Sequence, residues 1–79
     1  MRLDKFLKVS RLMKRRTLAN QVCSLGRVSI CGKPAKPGDR VKPGDVIEVR
    51  LGERVFRYEV LSDQEHASRE EAGYMYRAL

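Results

Sequence analysis

Arg16, Asn20, Ser24 and Arg27 recur at spacings of four, four and three residues, which puts two guanidinium groups, an amide and a hydroxyl on one side of a helical period. Cations interleaved with neutral donors suit phosphate, because the charge attracts it and the donors fix its geometry. Three adjacent cations, Lys14-Arg15-Arg16, open this segment, and Thr17 adds another hydroxyl. The competing explanation is plain solvation, since any amphipathic helix turns its cations to water. The distribution of charge favours binding. Of the net +7, residues 1–27 hold eight Lys/Arg against one acid (Asp4), residues 28–62 seven against five, and residues 63–79 two against four. Such asymmetry favours a polyanionic partner, either nucleic acid or an anionic membrane surface.

Other chemistries fit less well. No Gly-rich phosphate loop is present, the carboxylates fall mainly on strand faces and turns, and no Ser or Cys has a base near it in sequence. A chain of 79 residues buries only about 60% of its unfolded surface, which leaves little room for an enclosed pocket. The expectation is a binding protein without a cofactor, not an enzyme. Cys23 and Cys31 do not make a disulfide framework, and His66 lacks metal-ligand spacing, so no metal is expected. No apolar run approaches the ~20 residues of a membrane span, and the N-terminus alternates charged and apolar residues; a cytoplasmic protein is expected. Helices that lie on lipid carry spare bulky apolar residues, whereas Leu3, Phe6, Leu18 and Val22 are needed for a small core. With Phe56 and Tyr58 expected to face inward, no aromatic platform offers itself to single-stranded bases. Folded RNA, read by shape and phosphate position, fits better.

The elements that must position these residues follow from periodicity. Leu3, Phe6 and Leu7 predict a short helix ending near Ser10, with Lys5 and Lys8 pointing away and Asp4 placed to pair with Lys8. A basic connector, Arg11 to Arg15, leads to a second helix in which Leu18, Val22 and Leu25 form the apolar stripe, widened by Ala19 and Cys23 and closed by Gly26. Val28 and Ile30 then alternate with Ser29 and Cys31 before a turn at Gly32-Lys33-Pro34, and "GKPAKPGDRVKPGD" reads as two tight turns around Val41. Ile47, Val49 and Leu51 and then Phe56, Tyr58 and Val60 predict two strands joined at Gly52-Glu53-Arg54. Ser68 and Glu71 have capping-box spacing, and Ala72, Met75, Tyr76 and Leu79 predict one stripe of a terminal helix. No internal repeat is apparent. The expected fold is α+β: two N-terminal helices packed on a small, mainly antiparallel sheet over residues 1–62, then an extension, 63–79, with a short C-terminal helix.

The stretches "RLDKFL" at 2–7, "R-x-x-A-x-x-V-C-x-x-G-x-V-x-I-x-G" from Arg16 to Gly32 and "V-x-x-G-D-x-I-x-V" from Val41 to Val49 resemble the RNA-binding domain first named from small-subunit ribosomal protein S-four. The resemblance implies an αL-type module whose helix pair presents a basic face to structured RNA. Two positions depart from the family pattern: Arg15 stands where a serine is usual and Cys31 where an asparagine is usual. The opening "MRLDKFLKVSRLMKRRTLA" and closing "REEAGYMYRAL" further resemble the RqcP family of small bacterial ribosome-quality-control factors, relatives of the fifteen-kilodalton heat-shock protein.

That resemblance implies binding to obstructed large ribosomal subunits that carry peptidyl-tRNA, with contacts to large-subunit rRNA and to the tRNA. It also implies cooperation with an RqcH-type factor during C-terminal alanine tailing. The alternative is a heat-shock-type large-subunit recycling factor or another structured-RNA-binding protein, ahead of a membrane-surface module or a fragment of an RNA-modifying enzyme, and the molecule is expected to be a monomer off the ribosome. Carried over by position, Arg2 and Arg16 are the expected rRNA contacts and Asp4 an orienting carboxylate. Lys5, Lys8, Arg11, Lys14, Arg15, Thr17, Asn20 and Arg27 complete the wider expected RNA-binding surface.

Overall fold

In the computed structural model, which describes all 79 residues, Leu3, Phe6 and Leu7 are fully buried beneath α1 (Leu3–Val9). Helix α2 (Arg16–Ser24) buries Ala19, Val22 and Cys23, and Gly26 follows it at φ 74°, the left-handed conformation that ends a helix. Both helices cover one face of a five-stranded antiparallel sheet of order β2-β1-β3-β4-β5. Its strands are β1 (Val28–Ile30), β2 (Lys33–Pro34), β3 (Val46–Leu51), β4 (Arg54–Val60) and β5 (Tyr76–Ala78). The inner row Val28, Ile47, Val49 and Val60 meets the helices. On the outer face Glu48 accepts a hydrogen bond from Arg57 at 3.0 Å, and Arg77 pairs with Glu59, so charge on that side is largely neutralised across strands.

Two copies of Lys-Pro-Gly-Asp, at 36–39 and 42–45, fold alike. In each, the aspartate carboxylate accepts from the lysine backbone N–H (2.8 and 3.0 Å) while the aspartate N–H donates to the lysine carbonyl (3.0 and 3.1 Å). Each turn then fastens a different element. Carbonyls of Asp39 and Pro37 accept from the Leu3 and Asp4 N–H groups at 2.7 and 3.2 Å, satisfying first-turn donors of α1, which has no side-chain cap. The second turn exchanges bonds with Val60 at the end of β4 through Gly44 and Asp45, both at 2.8 Å. This short internal repeat went unnoticed in the sequence pattern, although the two turns around a buried Val41 are as expected.

The C-terminal segment departs from its expected form. The capping box at Ser68 and Glu71 is present, but α3 (Arg69–Ala72) stops after four residues. Met75 is fully buried, and Tyr76–Ala78 add a fifth strand beside β4 instead of continuing the helix. Tyr76 meets the inward-facing Tyr58 edge to face, with ring centroids 5.4 Å apart. The free edge of β4 offered ladder hydrogen bonds and an apolar slot for Met75, and this tertiary gain outweighed the local helical spacing. Two further expectations fail in α2. Leu18 and Leu25 remain 45% and 68% exposed, because the sheet is narrower than the stripe.

The turn between β1 and β2 is also tighter than expected, since Lys33 and Pro34 form β2 and only Cys31-Gly32 connect the strands. Both residues have positive φ, 50° and 82°. A two-residue turn of this kind favours Asn-Gly, because asparagine tolerates the left-handed region better than other side-chain-bearing residues. Cys31→Asn is therefore expected to raise unfolding stability by about 0.5 to 1 kcal/mol, read from the urea midpoint. Met75→Ala is expected to lower it by about 2 to 5 kcal/mol, which an appended, loosely held tail would not do.

Candidate nucleic-acid interface

The fold buries one carboxylate among the cations. Asp4, in the first turn of α1, has a side chain only 3% exposed. It does not pair with Lys8. Its oxygens accept from Arg2 Nε and Nη2 at 3.2 and 3.3 Å, from Arg16 Nη2 at 3.4 Å and from Asn20 Nδ2 at 3.5 Å, and Oδ1 also takes the Lys5 backbone N–H at 2.8 Å. Burial by itself would raise the Asp4 pKa. The hydrogen bonds from Asn20 and Arg16, the Arg16 charge and the Arg2 hydrogen bond outweigh it, so the group sits below its ordinary value and stays ionised. Arg2 and Arg16 are each about half exposed (48% and 47%). Each guanidinium therefore keeps donors free for an outside ligand while one edge is held.

Around this clasp lies an open polar depression lined by Asp4, Arg16, Thr17, Asn20 and Gln21. Ser24 donates from Oγ to Asn20 Oδ1 at 3.5 Å, extending the row along α2. The start of α2 has neither a side-chain cap nor an acid in its first turn. Backbone N–H groups and the positive end of the helix dipole thus face the same side as Lys14-Arg15-Arg16, an arrangement that favours an anion. Arg2 also pairs through its backbone with Arg40, and its guanidinium lies over Gly38 in the first Lys-Pro-Gly-Asp turn.

The other expected residues do not converge on this depression. Lys5 forms an ion pair with Glu65. Lys8 and Arg11 border a second shallow depression with Glu65 and His66, and Arg11 takes φ 63°, left-handed and strained for a residue with a side chain. Lys14 sits at an apolar groove. Arg15 is exposed at the position preceding α2. Arg27 lies past the far end of α2 beside Arg50 and Gly52, and its carbonyl accepts from the Arg50 N–H at 2.8 Å. Sequence reasoning missed Gln21, Arg40 and Arg50. The spacing of Thr17 and Gln21 could have found the first, and the repeated turn motif could have placed Arg40 beside Arg2. Neither cysteine enters the site; burial pushes the Cys23 thiol up to about 11, which keeps it protonated and unreactive.

Comparison with known proteins identifies the family and the fold. Residues 1–47 match the S4 domain family. Over all 79 residues the chain is 52% identical to the RQC P-site tRNA stabilizing factor of Bacillus subtilis, spanning 92% of that protein. Over 76 residues, 96% of this chain, it is 50% identical to the factor of the same name from Halalkalibacterium halodurans, spanning 86% of it. The chain belongs to the RQC P-site tRNA stabilizing factor family. The structure of trimeric Heat Shock Protein 15 from Vibrio cholerae matches the whole chain and 81% of its own, with a TM-score of 0.89 at 31% identity. The chain thus shares with that protein the α+β scaffold on which its Asp4 clasp is built.

The clasp has a pH signature. Because the folded pKa of Asp4 lies below its ordinary 3.8, its contribution is fully present above about pH 4 and is lost as pH falls through the folded value. Asp4→Asn is expected to cost about 1 to 2 kcal/mol at pH 7, discounted for the exposure of both arginines, and to flatten the loss of stability between pH 5 and pH 2 in urea titrations.

Proposed function

We propose that the Asp4 clasp presents Arg2 and Arg16 to phosphates of structured ribosomal RNA, and that the protein serves ribosome quality control by stabilising P-site tRNA. The observation that carries this reading is the buried carboxylate holding two half-exposed guanidinium groups beside Thr17 and Asn20. A planar guanidinium held along one edge keeps its remaining N–H donors aimed outward, which suits a phosphate oxygen. The names of the relatives, at 52% and 50% identity, supply the P-site tRNA. In the finer form of this reading, the protein acts in the cytoplasm and without catalysis. It binds obstructed large subunits, touches both rRNA and peptidyl-tRNA, and supports alanine tailing with an RqcH-type factor. Residues 1–62 form the RNA-binding unit and 63–79 an extension that completes the sheet. Lys8, Arg11, Lys14, Arg15 and Arg27 act as a wider attractive field, with Lys5 weakened by its pairing to Glu65.

Arg16→Ala is expected to weaken binding to obstructed large subunits by about 1 to 3 kcal/mol and to make the log–log salt slope shallower by about one. Co-sedimentation across a salt series checks both. Equal occupancy by wild-type and variant protein would remove Arg16 from the interface. Retained binding to subunits that lack peptidyl-tRNA would confine the contact to rRNA.

A further inference from the structure

Helix α2 has two unlike flanks. One carries Arg16 and Asn20 against Asp4; the other carries Leu18, which the core does not cover. On that second side a groove of about 390 Å³ runs between the connector, α2 and the β3–β4 hairpin. Nine of its ten lining residues are apolar, and the tenth is Lys14. Leu12, Leu18 and Leu51 form its walls, with Phe56 and Tyr58 along the sheet side. Leu18 and Leu51 are each 45% exposed and belong to one contiguous apolar surface.

The only charge lining the groove is positive, and Glu53, the acid of the hairpin turn, is not among the lining residues. Arg54 is the cross-strand partner of Leu51 and stands on the same side of the hairpin, Lys14 lies on the opposite wall, and no carboxylate lines the groove. The acids of β3 and β4, Glu48 and Glu59, lie on the other face of the sheet and are paired there. RNA would fit poorly. Bases entering an aliphatic floor would leave polar edges without partners, and the sugar–phosphate chain has no apolar anchor to offer. A second copy of this chain would bring together two molecules of net charge +7.

We propose that this groove docks an amphipathic, acidic segment of a protein partner, with apolar side chains between Leu18 and Leu51 and carboxylates meeting Lys14 and Arg54. Docking there leaves the Arg2–Asp4–Arg16 clasp open on the opposite flank of α2, so the molecule joins an RNA to a protein through one short helix. The proposal shares only Lys14, part of the wider attractive field, with the RNA-binding reading and uses no residue of the clasp, so the two stand or fall separately.

The test is a titration of the isotope-labelled full chain, followed by amide NMR, with a synthetic helical peptide bearing leucines along one stripe and glutamates elsewhere. The same peptide with lysines for the glutamates is the control. Expected are shifts at Leu12, Lys14, Leu18, Leu51 and Phe56, binding about tenfold weaker in Arg54→Glu and lost in Leu18→Glu or Leu51→Glu, and little binding of the lysine peptide. Leu18 and Leu51 are both surface positions, and an unchanged amide spectrum confirms that each variant folds. Binding of a large-subunit rRNA hairpin should be the same for Leu18→Glu as for wild type.

Several outcomes overturn the proposal: no shifts, shifts confined to the Arg2–Arg16 flank, or equal binding of both peptides. A concentration-dependent self-association abolished by Leu18→Glu would assign the groove to a second copy. A loss of hairpin binding in Leu18→Glu would assign it to RNA. Failure of Arg16→Ala to alter subunit binding would instead count against the RNA reading alone.

Discussion

The Asp4 carboxylate is withdrawn from water at the first turn of α1, and an ionised group so placed has to be paired on nearly every lone pair. Its partners come from three places: Arg2 just before α1, the Lys5 backbone, and Arg16 and Asn20 on α2. No other side-chain hydrogen bond joins α1 to α2, so the polar register of the two helices is set at this group while Phe6, Leu7, Ala19 and Val22 set their apolar contact. The pairing is not a symmetrical burial of opposite charges. The acid is inside and the guanidinium groups are half outside, so the desolvation penalty falls on one ion and is offset by five N–H donors from four residues. That asymmetry leaves both guanidinium groups with exposed N–H donors.

Arg2 could not hold its place without the chain behind it. Met1 and Val41 exchange backbone hydrogen bonds, Arg2 bridges Arg40, and the carbonyls of the first Lys-Pro-Gly-Asp turn cap α1. The turn can spare those carbonyls because its aspartate side chain satisfies its own lysine N–H, leaving Pro37 and Asp39 oxygens free to face the helix. A helix entered by an arginine with no side-chain cap would ordinarily fray. Here a second strand of chain supplies what a serine or aspartate cap would have supplied, and the arginine is released for another use.

Much of this was legible in the sequence, and the failures have physical causes. Leu3, Phe6 and Leu7 gave α1, Gly26 gave the end of α2, and the alternation at Ile47–Leu51 and Phe56–Val60 gave the central hairpin, because each pattern is local and one face is buried. The closeness of Asp4 to Arg2 was legible from their places in the chain; its second partner among several cations was not, since Lys8 and Arg16 differ only in where the fold carries them. The stripe Ala72, Met75, Tyr76 and Leu79 misled because its spacing suits a helix, while the free edge of β4 is invisible until the sheet is assembled. Lys5 read as a free cation because Glu65, sixty residues away, carries no local sign of reaching it.

The flanks of α2 follow from the same economy of size. A nine-residue helix over a sheet whose first two strands have three and two residues can bury one narrow arc, and Ala19, Val22 and Cys23 fill it. Leu18 and Arg16 lie on either side of that arc, so neither can be covered by this chain. On the Arg16 side the buried acid makes the uncovered surface polar and directional. Arginine is the residue this position needs: a guanidinium can bond Asp4 through one edge and keep other N–H groups for a phosphate, since its donors lie in a fixed plane. A lysine would bring one ammonium on a flexible stem, and its contact with Asp4 would compete with any outside anion for the same charge. The contact with Asp4 thus suits an arginine at position 16 for a geometry that charge alone would not require.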